Sequence, residues 1–299
     1  MTLPDPALIN GDTIVSADER RAYLQYHAQR NIARNHDARR LGAQTKAIRS
    51  LHPTGNAWQT PARCELNGFF QYAAERLGHR FDGGEVTVLD IGCGAGRLAQ
   101  PLSDAGFAGS YIGVDAEPHP RWDEITGVGG FGMRFIQADA ESLDLAGLPP
   151  IDLLVSSTAL EHIERDAHVV RRFGELLSPR GVQIHFVPAT ASLPLYGPHG
   201  WRQYSPLCLR EMFPGATIYR FGGPLSNLLH RKVITPIAEG STNDRRRAHP
   251  RLWRFARATS LRIDRLLGNP SPSMYGVCSV DLERERRAPM PAARLSPAA

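Results

Sequence analysis

The sequence predicts an α/β protein built on a doubly wound, mostly parallel sheet of seven strands. Short apolar, β-branched runs recur through residues 85–282 at the spacing of strand–helix–strand units. The first run, at residues 85–91, is followed by a turn with three glycines and then by a helix start. In sheets of this kind, ligands bind at the edge formed by the carboxyl ends of the strands. We therefore expect the functional residues in the turns that follow the strands.

The glycine-rich turn lies within residues 85–97, EVTVLDIGCGAGR. Gly92, Gly94 and Gly96 permit unusual backbone angles and let a ligand approach the backbone at the start of a helix. The third glycine comes one residue too early for a dinucleotide fingerprint, and no Lys-Ser/Thr follows, so a P-loop is excluded. Asp90, at the end of the strand, would repel a pyrophosphate but attract a cationic ligand such as a sulfonium with an amino-acid tail.

This turn, Asp90-x-Gly92-x-Gly94-x-Gly96, resembles the first motif of the class I S-adenosylmethionine (SAM)-dependent methyltransferases. The later apolar runs follow in the order of that family over roughly residues 64–215. The resemblance implies a methyltransferase with SAM as its cofactor. It also implies cofactor contacts at the ends of successive strands.

The implied cofactor site draws on the first four strands. Asp115 ends the second run, 19 residues after Gly96, and is expected to bind ribose hydroxyls. By resemblance, Asp139 would meet the adenine amino group, and Cys93 is a small residue of the turn. The complete predicted set is Asp90, Gly92, Cys93, Gly94, Gly96, Asp115, Ala116, Asp139, Ala140 and Ser156.

The remaining runs give strands at residues 110–115, 133–140, 151–157, 181–188, 216–221 and 274–282. Ahead of them we expect a loosely ordered leader at residues 1–18 and a helix from Ala17 to about Ser50. The inward residues of that helix would be Tyr23, Tyr26, Ile32 and Ile48. The predicted division is an N-terminal segment at 1–63, a methyltransferase domain at 64–283, and a disordered tail at 284–299.

About fifty residues, 224–272, separate the last two predicted strands, where the family usually has a tight hairpin. Within them, residues 250–267 have apolar residues at helical spacing with arginines between them, which predicts a basic amphipathic helix. The residues at helical spacing are Leu252, Phe255, Thr259, Ile263 and Leu266. Four roles stay open for this insertion: a lid over the acceptor site, a contact with an anionic membrane, a homodimer interface, or packing on the core.

His162 follows the fourth strand and is the first candidate for the base that removes a proton from the methyl acceptor. The alternative is a histidine that caps or supports a helix. His199 is the second candidate, on a loop rich in Gly, Pro and aromatic residues past the fifth strand. Arg202 on that loop could clamp an acidic group, with Tyr196 and Tyr204 as walls of the substrate site. The alternative is a loop that only closes the fold.

Composition narrows the class of protein. The net charge is +5, but the arginines cluster outside the core, which fits solvated helix faces or a surface for an acidic substrate or anionic lipid. The four cysteines lack C-x-x-C spacing, so no zinc site or disulfide framework is expected. No apolar run reaches the length of about 20 residues that spans a bilayer. Without signal-peptide features at the N-terminus, the expected location is the cytoplasm.

Missing motifs exclude several substrate classes. Enzymes for exocyclic amino groups of bases carry Asn/Asp-Pro-Pro-aromatic where this chain has residues 156–159, SSTA, and no Pro-Cys pair is present. Metal-dependent catechol-type enzymes need carboxylates where Ser157 and Pro188 stand. The prediction is a metal-independent enzyme acting on a small molecule, lipid or glycan, most favourably at a hydroxyl. A nucleic-acid methyltransferase, which would use the arginine-rich segments, and a non-catalytic SAM-fold protein stay as alternatives.

Overall fold

The computed structural model describes residues 5–40, 44–56, 58–81, 84–238, 240 and 244–285. The predicted tail at 284–299 falls outside this part of the chain from residue 286 onward, as do residues 1–4 of the predicted leader.

The predicted α/β fold is confirmed, with a sheet of eight strands in the order β3-β4-β2-β1-β5-β6-β8-β7. The pairs β4–β2, β2–β1, β1–β5 and β5–β6 are parallel, whereas β8 runs antiparallel between β6 and β7. The strands are β1 Val86–Ile91, β2 Ala108–Asp115, β3 Gly127–Val128, β4 Gly130–Gln137, β5 Ile151–Ser157, β6 Leu177–Pro188, β7 Thr217–Phe221 and β8 Met274–Cys278.

The strand beyond the seven predicted is β3, which forms a short antiparallel hairpin with β4. Gly129 makes the turn with φ +58°, a conformation that glycine adopts without strain. A strand of two residues is too short to leave a periodic pattern in the sequence. β6 also begins earlier than predicted, at Leu177, because residues expected to form a turn extend the strand.

Helices cover both faces of this sheet. Successive β1 residues face opposite sides: Val88 packs in a cluster with Phe69 and Leu77, and Leu89 packs with Phe173. The helices are α1 Ala17–Arg40, α2 Pro61–Leu77, α3 Ala99–Asp104, α4 Asp166–Gly174, α5 Leu193–Tyr196, α6 Pro206–Met212, α7 Pro224–Val233, α8 Thr235–Ala238, α9 Arg245–Ala248 and α10 Pro250–Leu266.

The N-terminal segment differs from the prediction. α1 ends at Arg40, and Ile48 is buried beyond it, near Lys46, which forms a bridge with Tyr219 of β7. Tyr23 is buried as expected, but Ile32 is 72% exposed, because α1 packs on the core over a narrow stripe only.

The leader is ordered where the structure describes it. Residues 6–8 and 11–13 form short 3₁₀ turns whose first turns are capped by Asp5 and Asn10. The amide of Gly11 donates to the carbonyl oxygen of Gly200 at 2.8 Å. A Cβ on Gly11 would lie 2.2 Å from the backbone nitrogen of His199, so this close crossing requires glycine.

Helix α10 lies where predicted, and its residues at helical spacing do not pack on the core. Four of these five residues are apolar, and all four are exposed: Leu252, Phe255, Ile263 and Leu266. The buried face is largely polar and includes Arg257 and Asp264. Arg257 donates to the carbonyl oxygens of Asn56 and Gln59, and Asp264 accepts from the amides of Leu225 and Ser226. These hydrogen bonds offset the cost of burying the charges.

Candidate functional site

Two cavities open at the carboxyl edge of the parallel strands. A small cavity of about 480 Å³ lies beyond the ends of β1, β2 and β4. A large cavity of about 830 Å³ lies between the start of α2, the residues around Arg97 and the loop after β6. Thr158, directly after β5, lines both cavities and therefore marks where they meet.

The backbone of Thr158 is held in an unusual conformation. Its φ is +53°, a region that residues with branched side chains rarely adopt. The amide of Thr158 donates to the carbonyl oxygen of Phe186 at 2.8 Å, which fixes the turn to the neighbouring strand. Strained backbone of this kind is concentrated at functional sites, and here it stands at the junction of the two cavities.

The glycine-rich turn reaches the small cavity through Gly92, which lines it. Gly92 lies against the turn after β5, since a Cβ on it would be 2.3 Å from the Cβ of Ala159. Gly94 has φ +50°, and a Cβ there would meet no heavy atom of the described residues within 4 Å. Gly92 thus permits close packing, while Gly94 leaves open space beside the turn for a ligand.

Asp115, Ala116, Asp139 and Ala140 also line the small cavity. Asp115 accepts hydrogen bonds from the amides of Gly94 at 2.8 Å and Glu117 at 3.2 Å. Asp139 accepts from the amide of Glu141 at 2.8 Å. Carboxylate oxygens keep further acceptor capacity after one such bond, so both side chains can also bind the hydroxyl and amino groups of a nucleoside.

Five predicted cofactor residues lie outside the walls of both cavities: Asp90, Cys93, Gly94, Gly96 and Ser156. Ser156 is buried within the sheet, with its Oγ 2.8 Å from Nδ1 of His185, so its side chain does not reach the site. Gly96 has φ +68° and allows Met133 and Phe135 to approach the turn. Cys93 is buried, and its Sγ fills the space that a side chain on Gly113 would need.

Asp90 is buried beneath the turn. The hydroxyl of Tyr111 donates to its Oδ2, whereas its Oδ1 has no hydrogen-bond partner among the described residues. Burial raises the pKa of Asp90 to about 7, and the charge of Asp115 adds to this effect. A cationic group bound near the turn would offset the cost of ionising this buried carboxylate, so Asp90 fits the amino or sulfonium group of SAM.

The two predicted catalytic histidines are brought together, one at each cavity. His162 lines the small cavity and His199 the large one, with their rings perpendicular and their centroids 4.6 Å apart. Asp12 lies between them: its Oδ2 is 2.6 Å from Nδ1 of His162 and its Oδ1 is 3.6 Å from Nδ1 of His199. The ordered leader therefore contributes an acid to the site.

The charges of this cluster favour an ionised Asp12. Partial burial acts to raise the pKa of Asp12, but the hydrogen bonds from His162 and Gly200 and the charges of both histidines lower it below its ordinary value. Burial, with the charge of His162, lowers the pKa of His199. An ionised Asp12 accepting from Nδ1–H of His162 leaves Nε2 of that ring as the proton acceptor.

Two further ionisable residues line the large cavity, Glu161 and Arg63. Glu161 is buried, and neither carboxylate oxygen has a hydrogen-bond partner among the described residues. Burial raises its pKa to about 8, with smaller contributions from Asp12 and Asp166. Arg63 donates to Oγ of Ser157 at 3.3 Å and has no carboxylate partner in the described part of the chain. Burial and the neighbouring Arg97 lower the pKa of Arg63, so a bound carboxylate would stabilise it.

Tyr196 lines the large cavity, as expected for a substrate wall. The other two predicted substrate residues serve the fold instead. Arg202 pairs with Oδ1 of Asp166 at 3.0 Å and also donates to the carbonyl oxygen of Glu164. The buried hydroxyl of Tyr204 donates to Oδ2 of Asp166 at 2.7 Å. Both side chains are therefore used in holding the loop after β6 to the start of α4.

Sequence reasoning missed Asp12, Arg63 and Glu161. Glu161 precedes His162 in the chain, and that adjacency was the available signal. Asp12 and Arg63 come from segments with no motif. Glu161, His162 and His199 together also place three potential metal-ligand atoms within 4.8 Å of one another.

Residues 88–181 match the family described as "Methyltransferase domain". Two curated relatives are the ubiquinone biosynthesis O-methyltransferases of Caulobacter vibrioides and Serratia proteamaculans. The first is 30% identical over 32% of this chain and 38% of the relative, and the second 33% identical over 37% and 44%. The matched region thus spans less than half the length of these relatives.

Solved structures with similar folds include the magnesium protoporphyrin IX methyltransferase of Synechocystis PCC 6803, with bound S-adenosylhomocysteine. It is 20% identical, with a TM-score of 0.40 over 56% of this chain and 81% of that one. The N-methyltransferase NodS of Bradyrhizobium japonicum WM9 is 14% identical, with a TM-score of 0.43 over 60% and 89%. Likeness this distant says nothing about the substrate.

No helix in the described ranges combines the length and the apolar character needed to cross a membrane. The glycine-rich turn after β1, the strand order and the matched family agree with one another. Residues 88–181 therefore match a methyltransferase domain, and this region is similar to the class I SAM-dependent methyltransferases.

Proposed function

We propose that this protein is a cytoplasmic enzyme that transfers a methyl group from SAM to a hydroxyl of a small molecule, lipid or glycan, without a metal ion. The observation that carries the proposal is the meeting of the two cavities at Thr158. The small cavity has the glycine turn and acidic residues of a nucleoside site. The large one has room for a second reactant beside it.

In this proposal the small cavity holds the cofactor. Asp115 binds the ribose hydroxyls and Asp139 the adenine amino group, with Gly94 leaving room beside the turn. The amino-acid end of the cofactor passes Thr158 into the large cavity, where Arg63, which lacks a carboxylate partner among the described residues, binds its carboxylate. Asp90 favours the positive charge of the cofactor. Each assignment pairs a hydrogen-bond acceptor with a donor of the cofactor, or a charged side chain with a cofactor group of the opposite charge.

SAM supplies a methyl group that is already activated by a positively charged sulfur. The protein must therefore hold the acceptor oxygen about 3 Å from that methyl and remove its proton. We assign His162 as the base, with Asp12 fixing its ring through Nδ1 and stabilising the imidazolium that forms. His199, on the side of the large cavity, is the second candidate for the same role.

The large cavity is lined mainly by neutral polar and aromatic side chains, including Asn56, Trp58, Gln59, Asn67 and Tyr196. Such a lining suits an uncharged acceptor that carries hydroxyl groups. Two similar proteins, the O-methyltransferases of ubiquinone biosynthesis described above, support an oxygen acceptor. The arginine-rich segments do not line this cavity in the described residues, which weighs against a nucleic-acid acceptor.

The insertion at 224–272 acts on the acceptor cavity indirectly in our proposal. None of its described residues lines either cavity. Instead, Arg257 binds the carbonyl oxygens of Asn56 and Gln59, and Arg246 binds that of Trp58 at 2.9 Å. These three residues line the large cavity, so the insertion would brace a wall of the acceptor site rather than cover it as a lid.

The function is tested by incubating the protein with SAM and separate metabolite, lipid and glycan extracts. The expected result is one product class that gains the mass of one methyl group while SAM is converted to S-adenosylhomocysteine. The H162A variant, which should still bind SAM, is the matched control. SAM binding without any methylated product would favour a non-catalytic protein. Methylation of added RNA alone would favour the nucleic-acid alternative.

A further inference from the structure

Most of the exposed apolar side chains of the insertion lie on α7 and α10. We call the surface that they form the outer face of these two helices. Leu252, Phe255, Leu266 and Leu267 are 65–69% exposed. At about 100° per residue, the apolar side chains of α10 fall within an arc of roughly 120° on one side of the helix. Leu225, Leu228 and Ile263 are also exposed on these two helices. A contiguous apolar face on a helix is a feature of interaction sites.

This exposed face is not the side that holds α10 to the protein. The opposite side of the helix is buried through Trp253, Leu261 and Asp264, and through Arg257, which binds the carbonyl oxygens of Asn56 and Gln59. The helix is therefore anchored independently of its apolar face, and that face is free for a partner.

The charges beside the apolar face have one sign. Arg251 and Arg262 are exposed and lie within about 40° of one edge of the apolar arc, and exposed Arg254 lies farther round the helix on the same side. Arg231 and Lys232 at the end of α7 add two more exposed cations. The only acidic residue in α7 and α10 is Asp264, which is fully buried and caps α7. An apolar face flanked by cations without exposed acids is complementary to an anionic lipid surface.

We propose that the outer face of α7 and α10 is a peripheral membrane-binding surface that lays its leucines and Phe255 into the headgroup layer of anionic lipid. A second copy of this chain fits less well, because a two-fold interface would set this arginine-rich face against itself. The proposal does not depend on the methyltransferase activity, because the surface is separate from both cavities.

The test is co-sedimentation of the full chain with vesicles of equal parts phosphatidylglycerol and phosphatidylcholine, against vesicles of phosphatidylcholine alone. We expect binding to the anionic vesicles that weakens as salt is added. The F255S/L266S variant should bind about tenfold more weakly or worse, because two large apolar side chains are lost. The R251Q/R254Q/R262Q variant should lose about fivefold per arginine.

Two variants serve as matched controls, I32S for an exposed apolar residue on α1 and R210Q for an exposed arginine on α6. Both should bind vesicles like the wild type. Since all substituted side chains are exposed, thermal unfolding should be unchanged, which separates lost binding from lost folding. The proposal is overturned by absent vesicle binding or by binding that both surface variants retain. The proposal would also be overturned if the protein formed a dimer without lipid and the F255S/L266S variant were monomeric. The apolar face would then join two copies of this chain.

Discussion

Oδ2 of Asp12 lies 2.6 Å from Nδ1 of His162, although the two residues are 150 positions apart in the chain. Two backbone hydrogen bonds hold Asp12 in this position. The amide of Gly200 donates to Oδ1 of the same carboxylate at 3.1 Å, and the amide of Gly11 donates to the carbonyl oxygen of Gly200. The leader is thus part of the catalytic arrangement that we propose.

Replacing the base should separate turnover from cofactor binding. We expect H162A to lower kcat by roughly 10² to 10⁴, because that is the usual contribution of a positioned base. The dissociation constant for SAM should change little, since His162 is not among the assigned cofactor ligands. Turnover and calorimetry on the same preparation measure both effects. Full activity in H162A would show that His162 is not the base and only supports the structure.

Asp12 should act through His162. D12N removes the charge that stabilises the imidazolium while keeping the shape of the side chain, so we expect a smaller loss of kcat than in H162A. In the double variant the two losses should not multiply, because the residues act as a unit. D18N, an exposed acid at the start of α1, is the control and should behave like the wild type. Multiplying losses would show that Asp12 does not act through His162.

Glu161 should make stability depend on pH. Its pKa is about 8 in the folded protein and near 4.5 when unfolded, so the folded state binds the extra proton between these values. The stabilising contribution of protonated Glu161 to the free energy of unfolding is fully present below pH 4.5, and it is lost as the pH rises through 8. Thermal unfolding should therefore show E161Q gaining stability relative to the wild type as the pH rises from 5 to 8. A constant difference across this range would contradict a buried, neutral Glu161.

The sequence was sufficient to predict the sheet and the turn, for physical reasons that apply to few other parts of the chain. β1 is buried on both faces, so Val88, Leu89 and their neighbours form an unbroken apolar run. Gly92 and Gly94 stand where the backbone has positive φ, which selects glycine. Such local constraints leave a local pattern in the sequence.

Contacts between distant segments leave no such pattern. Nothing in the sequence around Asp12 indicates His162, and nothing around Arg63 indicates a cavity. The sequence could not decide which face of α10 is buried, because burial of Arg257 depends on carbonyl oxygens of residues 56 and 59, almost 200 positions earlier. Arg202 was assigned to the substrate for the same reason, since its partner Asp166 could not be identified from spacing.

Arg257 should be important for stability as well as for the acceptor site. R257A removes two hydrogen bonds from a charged donor to backbone carbonyls, so we expect the free energy of unfolding to fall by about 2–4 kcal/mol. The exposed neighbour variant R254A should stay within about 0.5 kcal/mol of the wild type. Urea unfolding of both variants measures the difference. Equal stabilities would show that the insertion does not depend on this contact.

Methyl transfer should not require a metal ion. We expect turnover to be unchanged after dialysis against EDTA and after addition of Mg²⁺ or Zn²⁺, because the proposed base is a histidine held by Asp12. A loss of turnover that one of these ions restores would contradict this. The ligand set would then be Glu161, His162 and His199, whose potential ligand atoms lie close enough to share an ion.

Calorimetric titration with SAM tests the central claim most directly. The account predicts saturable binding by the wild type, and binding weaker by about 1–3 kcal/mol in D115A, which loses hydrogen bonds to the ribose. D144A, an exposed aspartate in the loop after β4 and outside both cavity linings, should bind like the wild type. Absence of binding by the folded wild type, or equal affinity in D115A, would contradict the assignment of the small cavity as the cofactor site.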